Sequence, residues 1–383
     1  IFAALGLPPE TIELLMGIYL EGSEKPSFKL TPRMIVRLPR IVKFCLKKIF
    51  FTKKFPAVFS TLRQDYQAFN RSDIETLSMS ELLHEIERLC IVSQRTAYYN
   101  IIAQLLMGLF NTLLKAQLKK LGVDFACFDL AWGMDDLKRF DPTIHILALQ
   151  QQVQQLPEET RSRIQTASYD DFTRLPGTEY LQKELAHFIE RFGHISDSGC
   201  DFSAVPWRET PEVVMRMITG SSRKEKQEVR KICFDEVRMS HLRRGLLRPL
   251  HVRAQTYWLY REEISFLFSY GYGLFRKYFM ALGERCVQHS FINSADDIFY
   301  LSLEEIRAII ESRDAERDYA GIIARRKKEM QDYQDVRLPS VIYGDQPPPL
   351  TNHFENTLKG TPTSRGYYRG PVTVVRGIKD FSK

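Results

Sequence analysis

The residues best suited to chemistry in this 383-residue chain stand together in the run Tyr257-Trp258-Leu259-Tyr260-Arg261-Glu262-Glu263. An arginine presents a planar fork of donors that matches carboxylate or phosphoryl oxygens, and an adjacent glutamate can orient a hydroxyl or accept its proton. Directly after them Ile264, Leu267, Phe268, Gly271, Leu274, Phe275, Tyr278, Phe279 and Leu282 recur at helical spacing and form one apolar stripe. Arg261, Ser265, Tyr272 and Arg276 line the edge of that stripe. An arginine beside an apolar wall is a place to hold an anion or a polar substrate. Spacing alone leaves the plainer alternative open, in which Arg261 and Glu262 form an ordinary ion pair on a helix surface, the default for charged side chains.

The elements that must position these residues read as helices. Ser78-Met79-Ser80-Glu81 has the spacing of a capping box, which predicts a helix from there to about Val92. A second helix is predicted over Arg95–Leu121, with Tyr98, Ile102, Leu105, Leu106, Leu109, Leu113 and Leu114 on one face and Gly122 ending it. Asp141-Pro142 opens another helix, Pro176-Gly177 breaks the chain before the helix leading to Phe192-Gly193-His194, and helical period returns over 211–220 and 224–244. A loop and helix follow over Asp296–Ser312, then a very charged helix over Arg313–Tyr333. No strand alternation appears before residue 335, so residues 1–337 are expected to be one mainly α, multi-helix domain. Prolines over 338–357 make that stretch an extended linker. Beyond it, 358–383 is punctuated by glycine and rich in β-branched residues, the pattern of two short strands.

Composition narrows the function classes. With 44% hydrophobic residues and 25 Phe, 17 Tyr and 3 Trp the chain can bury a core. Six scattered cysteines without a CxxC pair favour neither a disulfide scaffold nor a zinc site, and point to a reducing, cytoplasmic setting. The net charge of +7 is concentrated in 37–54 and 223–253. Neither run shows a known reader motif or aromatic residues placed as an exposed stacking platform, so no nucleic-acid partner is expected. The longest apolar run, Ile101–Leu114, is interrupted by Gln104 and Asn111 and reads as a buried helix and not a membrane span. A start at Ile1 and a stop at Lys383 within a strand-like segment lead us to expect a piece of a longer protein.

Three segments, in order, resemble the phosphoenolpyruvate synthase and pyruvate phosphate dikinase family, and within it most nearly the rifampicin phosphotransferase-type enzymes. Arg191-Phe192-Gly193-His194, followed by Asp201-Phe202 and Pro206-Trp207-Arg208-Glu209-Thr210-Pro211, is similar to the family's glycine-histidine turn and Trp-x-Glu-x-Pro stretch. Arg261-Glu262, Phe275-Arg276 and Asp296-Asp297-Ile298-Phe299-Tyr300-Leu301 resemble a second segment, and Gly360-Thr361-Pro362-Thr363-Ser364-Arg365-Gly366 resembles the opening of the mobile phosphohistidine domain. The resemblance covers roughly 180–383.

It implies a helical acceptor-binding domain followed by the truncated first strands of a β/β/α swivelling domain. The implied activity is ATP-dependent transfer of a phosphoryl group, through a phosphohistidine, to a small-molecule acceptor. Glu262 is then the catalytic candidate, and Arg261, Ser265, Tyr272 and Arg276 are the substrate-binding candidates. ATP and Mg2+ are expected to bind outside this chain, the catalytic histidine to lie beyond it, and no metal to bind within it. Its partners would be the acceptor and its own ATP-binding and swivelling domains, with no membrane. Where these phosphotransferases have a lysine four residues after the arginine, this chain has Ser265. That difference keeps open a catalytically silent scaffold of the same fold, or a ligase acting through a phosphorylated intermediate. The resemblance assigns His194 to shaping a turn. Asp201, Trp207 and Glu209 read as loop-fixing residues and Asp296-Asp297 as a helix cap.

Overall fold

The computed structural model describes residues 54–333, apart from 71–72, 200, 221–230 and 312–316, together with the single residue Pro39. The linker over 338–357 and the strands over 358–383 lie outside the described residues. So do residues 1–38. By packing, the described residues divide between two compact units, the larger carrying 54–311 and the smaller 317–333. Ten helices occur among them: α1 (Phe55–Gln67), α2 (Met79–Lys120), α3 (Pro142–Gln155), α4 (Glu158–Thr166), α5 (Tyr169–Phe172), α6 (Glu179–Phe192), α7 (Pro211–Thr219), α8 (His241–Gln288), α9 (Leu303–Ile310) and, in the smaller unit, α10 (Tyr319–Asp332). The β-type pairing among the described residues is an isolated parallel bridge between Phe128 and Ile232. The fold is mainly α.

Two long helices set the frame. The capping box forms as read: Glu81 N–H donates to Ser78 Oγ, and Ser78 N–H donates to Glu81 Oε2 at 2.8 Å. The helix it opens does not stop near Val92. It runs unbroken for 42 residues to Lys120, because Ser93-Gln94 contains no breaker and packing against α8 carries the helix through. Gly122, with φ +74°, terminates it by donating its N–H to Lys119 O. α8 begins later than helical period predicts. Residues 231–240 hold the Ile232 bridge and the 3-10 turn Phe234–Glu236 in place of a helix, and Ser240 caps α8 by accepting the N–H of Arg243. Once started, α8 continues for 48 residues, about 72 Å at 1.5 Å per residue, and carries Pro249 in its first quarter.

α2 and α8 pack antiparallel along most of their length. Phe110 stacks on Tyr257 with ring centroids 5.2 Å apart, Ser265 bonds Asn100, and Cys286 Sγ reaches Met79 Sδ at 4.0 Å. The apolar stripe is the buried face: Ile264, Tyr278 and Leu282 are wholly inaccessible, and Leu267, Leu274, Phe275 and Phe279 nearly so. Gly271 is needed because Tyr66 of α1 crosses it so closely that an added Cβ would meet the phenol oxygen at 2.7 Å. On α2 the buried face is Ile102, Leu106, Phe110, Leu114 and Leu118, while Tyr98, Leu109 and Leu113, expected on that face, are exposed. Apolar residues wrap more of this helix than α8 covers. By length and composition alone α2 would also suffice to cross a membrane, with a third of its most apolar window buried.

A second core fills the space between α3, α4, α6 and α7, around Leu185, Phe188, Phe192, Trp207, Val214 and Ile218, with Phe266 of α8 packed against it. The break at Pro176-Gly177 is a turn with Gly177 at φ +79°. The described part of the smaller unit is the charged helix expected after residue 313. Asp318 caps α10, and Tyr319 and Ile323 are buried.

Candidate functional site

Successive residues of an α-helix are rotated by 100°, so 261, 265, 268, 272, 275 and 279 share one side of α8, with 258 and 262 on the neighbouring side. The structure follows that division: Tyr272 lines one hollow and Glu262 another, while Arg261, Ser265 and Arg276 line neither.

The first is an aromatic cavity of about 520 Å³ between α8 and α2. Phe268, Tyr272, Phe275 and Phe279 of α8 form one wall, Ile86, Cys90, Ser93, Gln94 and Ala97 of α2 another, and Phe202 and Phe299 close it. The rings pack against each other: Phe202 to Phe279 at 5.2 Å, Phe268 to Tyr272 at 5.1 Å, Phe202 to Phe275 at 5.7 Å. Neither Phe202 nor Phe299 belongs to a long helix, so both must be held from outside. Arg276 holds them. Its side chain is 4% exposed. Nε donates to both oxygens of Glu209 at 2.9 and 3.0 Å, and Nη1 donates to Ser203 O at 2.8 Å. Nη2 lies 3.4 Å from Asp296, and the guanidinium sits over the Phe299 ring at 5.4 Å. One buried cation thus ties the 201–210 loop and the 295–300 turn to α8. Asp201 Oδ1 fixes the same loop by accepting from the N–H and hydroxyl of Ser203. Asp297 caps the turn by accepting from Asn293 N and Ser294 N.

His194 lies beneath this region. Its Cβ would be 2.9 Å from a Cβ added at Gly273, and its Nε2 is 3.3 Å from Ser269 Oγ. Burial, reinforced by the charge of Arg208, lowers its pKa from the ordinary 6.5 to about 3, so the ring is neutral near pH 7. A neutral imidazole wedged between a turn and a helix is a packing group.

At the end of the cavity toward Arg261, Ser265 Oγ donates to Asn100 Oδ1 at 3.0 Å. This pair sits one helical turn from Phe268 on α8 and from Ala97 on α2. Arg261 follows a further turn away. Its Nη1 meets Glu262 Oε1 at 2.5 Å, both side chains being partly exposed, at 38% and 26%. Its Nε is buried without a hydrogen-bond partner among the described residues. Glu262 Oε1 also accepts from Trp258 Nε1 at 3.0 Å. The arginine and glutamate therefore form the couple that the sequence places beside the apolar stripe.

Glu262 and Trp258 also line the second hollow, a cleft of about 820 Å³ against the 129–144 segment. Its walls include Asp129, Trp132, Lys138, Phe140 and Asp141. Sequence reading passed over Trp132, Phe202 and Phe299 as site residues. The aromatic pair was legible only as family motif, and Trp132 stands in a segment with no periodicity. Among the described residues no group of three or more His, Cys, Asp or Glu side chains is placed to hold a metal ion.

What fold and site define is a helical module built on one antiparallel pair, with an arginine-glutamate couple near an aromatic cavity. Residues 97–262 match the family model described as the rifampicin phosphotransferase fourth domain, a span that ends on the Arg261-Glu262 couple. The chain is 23% identical over 235 residues to the rifampicin phosphotransferase of Bacillus cereus, covering 55% of this chain and 27% of that one. It is 22% identical over 234 residues to that of Streptomyces sviceus, covering 54% and 26%. An uncharacterized protein of Mycobacterium tuberculosis is 25% identical over 195 residues, covering 48% and 20%. The chain spans about a quarter of the length of the curated phosphotransferases it matches. These findings support a likeness to the phosphoenolpyruvate-utilising enzymes of the rifampicin phosphotransferase type, carried by residues 97–262.

Proposed function

We propose that this chain is the acceptor-binding part of an ATP-dependent phosphotransferase in which a phosphohistidine on a swivelling domain delivers its phosphoryl group to a small molecule. The acceptor's apolar body occupies the aromatic cavity, with Tyr272 in its wall. Its hydroxyl points along α8 toward Ser265 and Arg261. Arg261 meets the phosphoryl oxygens as the group is transferred, where a fixed cation stabilises developing charge. Glu262, on the wall of the neighbouring cleft, holds that guanidinium in place with Oε1 and so positions the phosphoryl group for the attacking hydroxyl. Arg276 acts on the acceptor indirectly, by holding Phe202 and Phe299. ATP and Mg2+ bind in another part of the whole protein, the transferring histidine lies on the swivelling domain, and the setting is cytoplasmic.

The observation that carries this reading is the half-satisfied guanidinium of Arg261, anchored by Nη1 and with a buried, unpaired Nε, on the same side of α8 as an aromatic cavity of about 520 Å³. The test is the whole protein with candidate hydroxyl acceptors, following AMP and phosphate release. Arg261→Ala is expected to slow acceptor-dependent turnover by about 10²–10³, the range for removing one such donor, with the fold intact by circular dichroism. Turnover unchanged by Arg261→Ala would overturn it.

One observation favours a catalytically silent scaffold. Ser265 stands where the phosphotransferases carry a cation, and its hydroxyl is engaged by Asn100. Ser265→Lys separates the two readings: a gain of acceptor-dependent phosphoryl transfer from none identifies a scaffold that has lost its cation. A third reading, ligation through a phosphorylated intermediate, would show as phosphate release that requires a second acceptor.

A further inference from the structure

We propose that the cleft between α8 and the 129–144 segment is a second ligand site, separate from the aromatic cavity, and that it takes an aromatic organic cation. Two of the chain's three tryptophans, Trp132 and Trp258, line it. Trp132 is 64% exposed, yet its backbone is held firmly. Asp129 N–H donates to Ile232 O at 2.9 Å, and Gln255 Nε2 donates to both Leu130 O and Trp132 O at 3.0 Å. The turn closes with Gly133 at φ +76° and with Met134 N–H on Ala131 O at 2.9 Å. A large indole kept in water on a pinned loop leaves an apolar face unused by the protein's own packing, and such a face suits a ring or a cation.

The charge of the lining sets the sign of the ligand. Four carboxylates, Asp129, Asp135, Asp141 and Glu262, face the cleft against one cation, Lys138. Lys138 is tied to Asp135 at 2.7 Å, and Glu262 to Arg261. That leaves Asp129 and Asp141. Each uses Oδ1 for a local backbone N–H, of Ala131 at 3.0 Å and of Thr143 at 2.9 Å, and Oδ2 of each has no bond among the described residues. Two carboxylates with no cationic partner among the described residues, beside two indoles, fit a positively charged, flat molecule and disfavour an anion. This assignment needs no ATP and does not rest on the phosphotransferase reading.

The probe is N-methylquinolinium, titrated calorimetrically into the whole chain, with neutral quinoline at pH 8 as its uncharged counterpart. Saturable binding of the cation is expected, with quinoline at least tenfold weaker. Trp132→Ala should weaken the cation about tenfold, and Asp129→Asn with Asp141→Asn about fivefold, while Phe268→Ala, in the other cavity, leaves it unchanged. Trp132 is exposed, so its loss should not unfold the protein, and matched circular dichroism spectra check this. No saturable heat at millimolar probe, equal binding of quinoline, insensitivity to Trp132→Ala, or loss of binding on Phe268→Ala would each overturn the assignment.

Discussion

The two hollows along α8 are built by different means. In the aromatic cavity part of the wall is itself core: Phe275 and Phe279 are 7% and 9% exposed, and the loop that closes it is fixed by a buried guanidinium. In the acidic cleft the walls are surface, and the backbone is held while the side chains, Trp132 above all, remain in water. The difference predicts what each can tolerate. Residues of the first serve stability and binding together, whereas residues of the second can change with little effect on the fold.

The largest expected effect is Phe279→Ala, which removes a nearly buried ring from a wall that already borders empty space. We expect a loss of about 3 kcal/mol, at the low end of the ~3–5 for such truncations, read as a fall in the denaturant midpoint with an unchanged slope. Arg276→Met should follow at about 2–3 kcal/mol. It abandons Glu209 and Asp296, but their exposures of 40% and 64% let them rehydrate, unlike the partner of a fully buried pair. If Arg276→Met costs less than Trp132→Ala, the contrast between a held core and an open surface fails.

Acid provides the third test. The pKa of His194 is depressed to about 3 against 6.5, so below pH 6.5 the unfolded chain takes up a proton that the folded chain refuses. Stability attributable to this residue is then full above pH 6.5 and declines as pH falls toward 3. From pH 6.5 to 5 the decline is about 2 kcal/mol at 1.36 kcal/mol per unit. A variant with His194→Gln should lack that slope between pH 6.5 and 5, whatever its stability at pH 7. The smallest effect sharpens the comparison from the other side: Trp132→Ala should change stability by less than about 0.5 kcal/mol.

Much of the helical frame was legible beforehand. The capping box at Ser78–Glu81, the stop at Gly122, the turn at Pro176-Gly177 and the apolar stripe of α8 are local signals, fixed by residue type and spacing, and each appears where its residues place it. The continuity of α2 through Ser93-Gln94 was not legible, because nothing local either stops or demands a helix there and packing against α8 decides. The same holds for which of α2's apolar residues are covered.

For the site, the sequence by itself determined that Arg261 and Glu262 adjoin an apolar stripe, since both facts follow from helical period. It also determined the mainly α character of the described residues and, through its motifs, the likeness to the rifampicin phosphotransferases. Only the tertiary structure decided that Glu262 and Tyr272 line different hollows, that Arg276 is buried among Glu209, Ser203 and Asp296, and that Phe202 and Phe299 complete a cavity. These partners lie 67, 73 and 20 residues from Arg276 in the chain. Period along a helix fixes which way a side chain leaves its own axis. What it then meets depends on how distant segments close around it, and no local spacing encodes that.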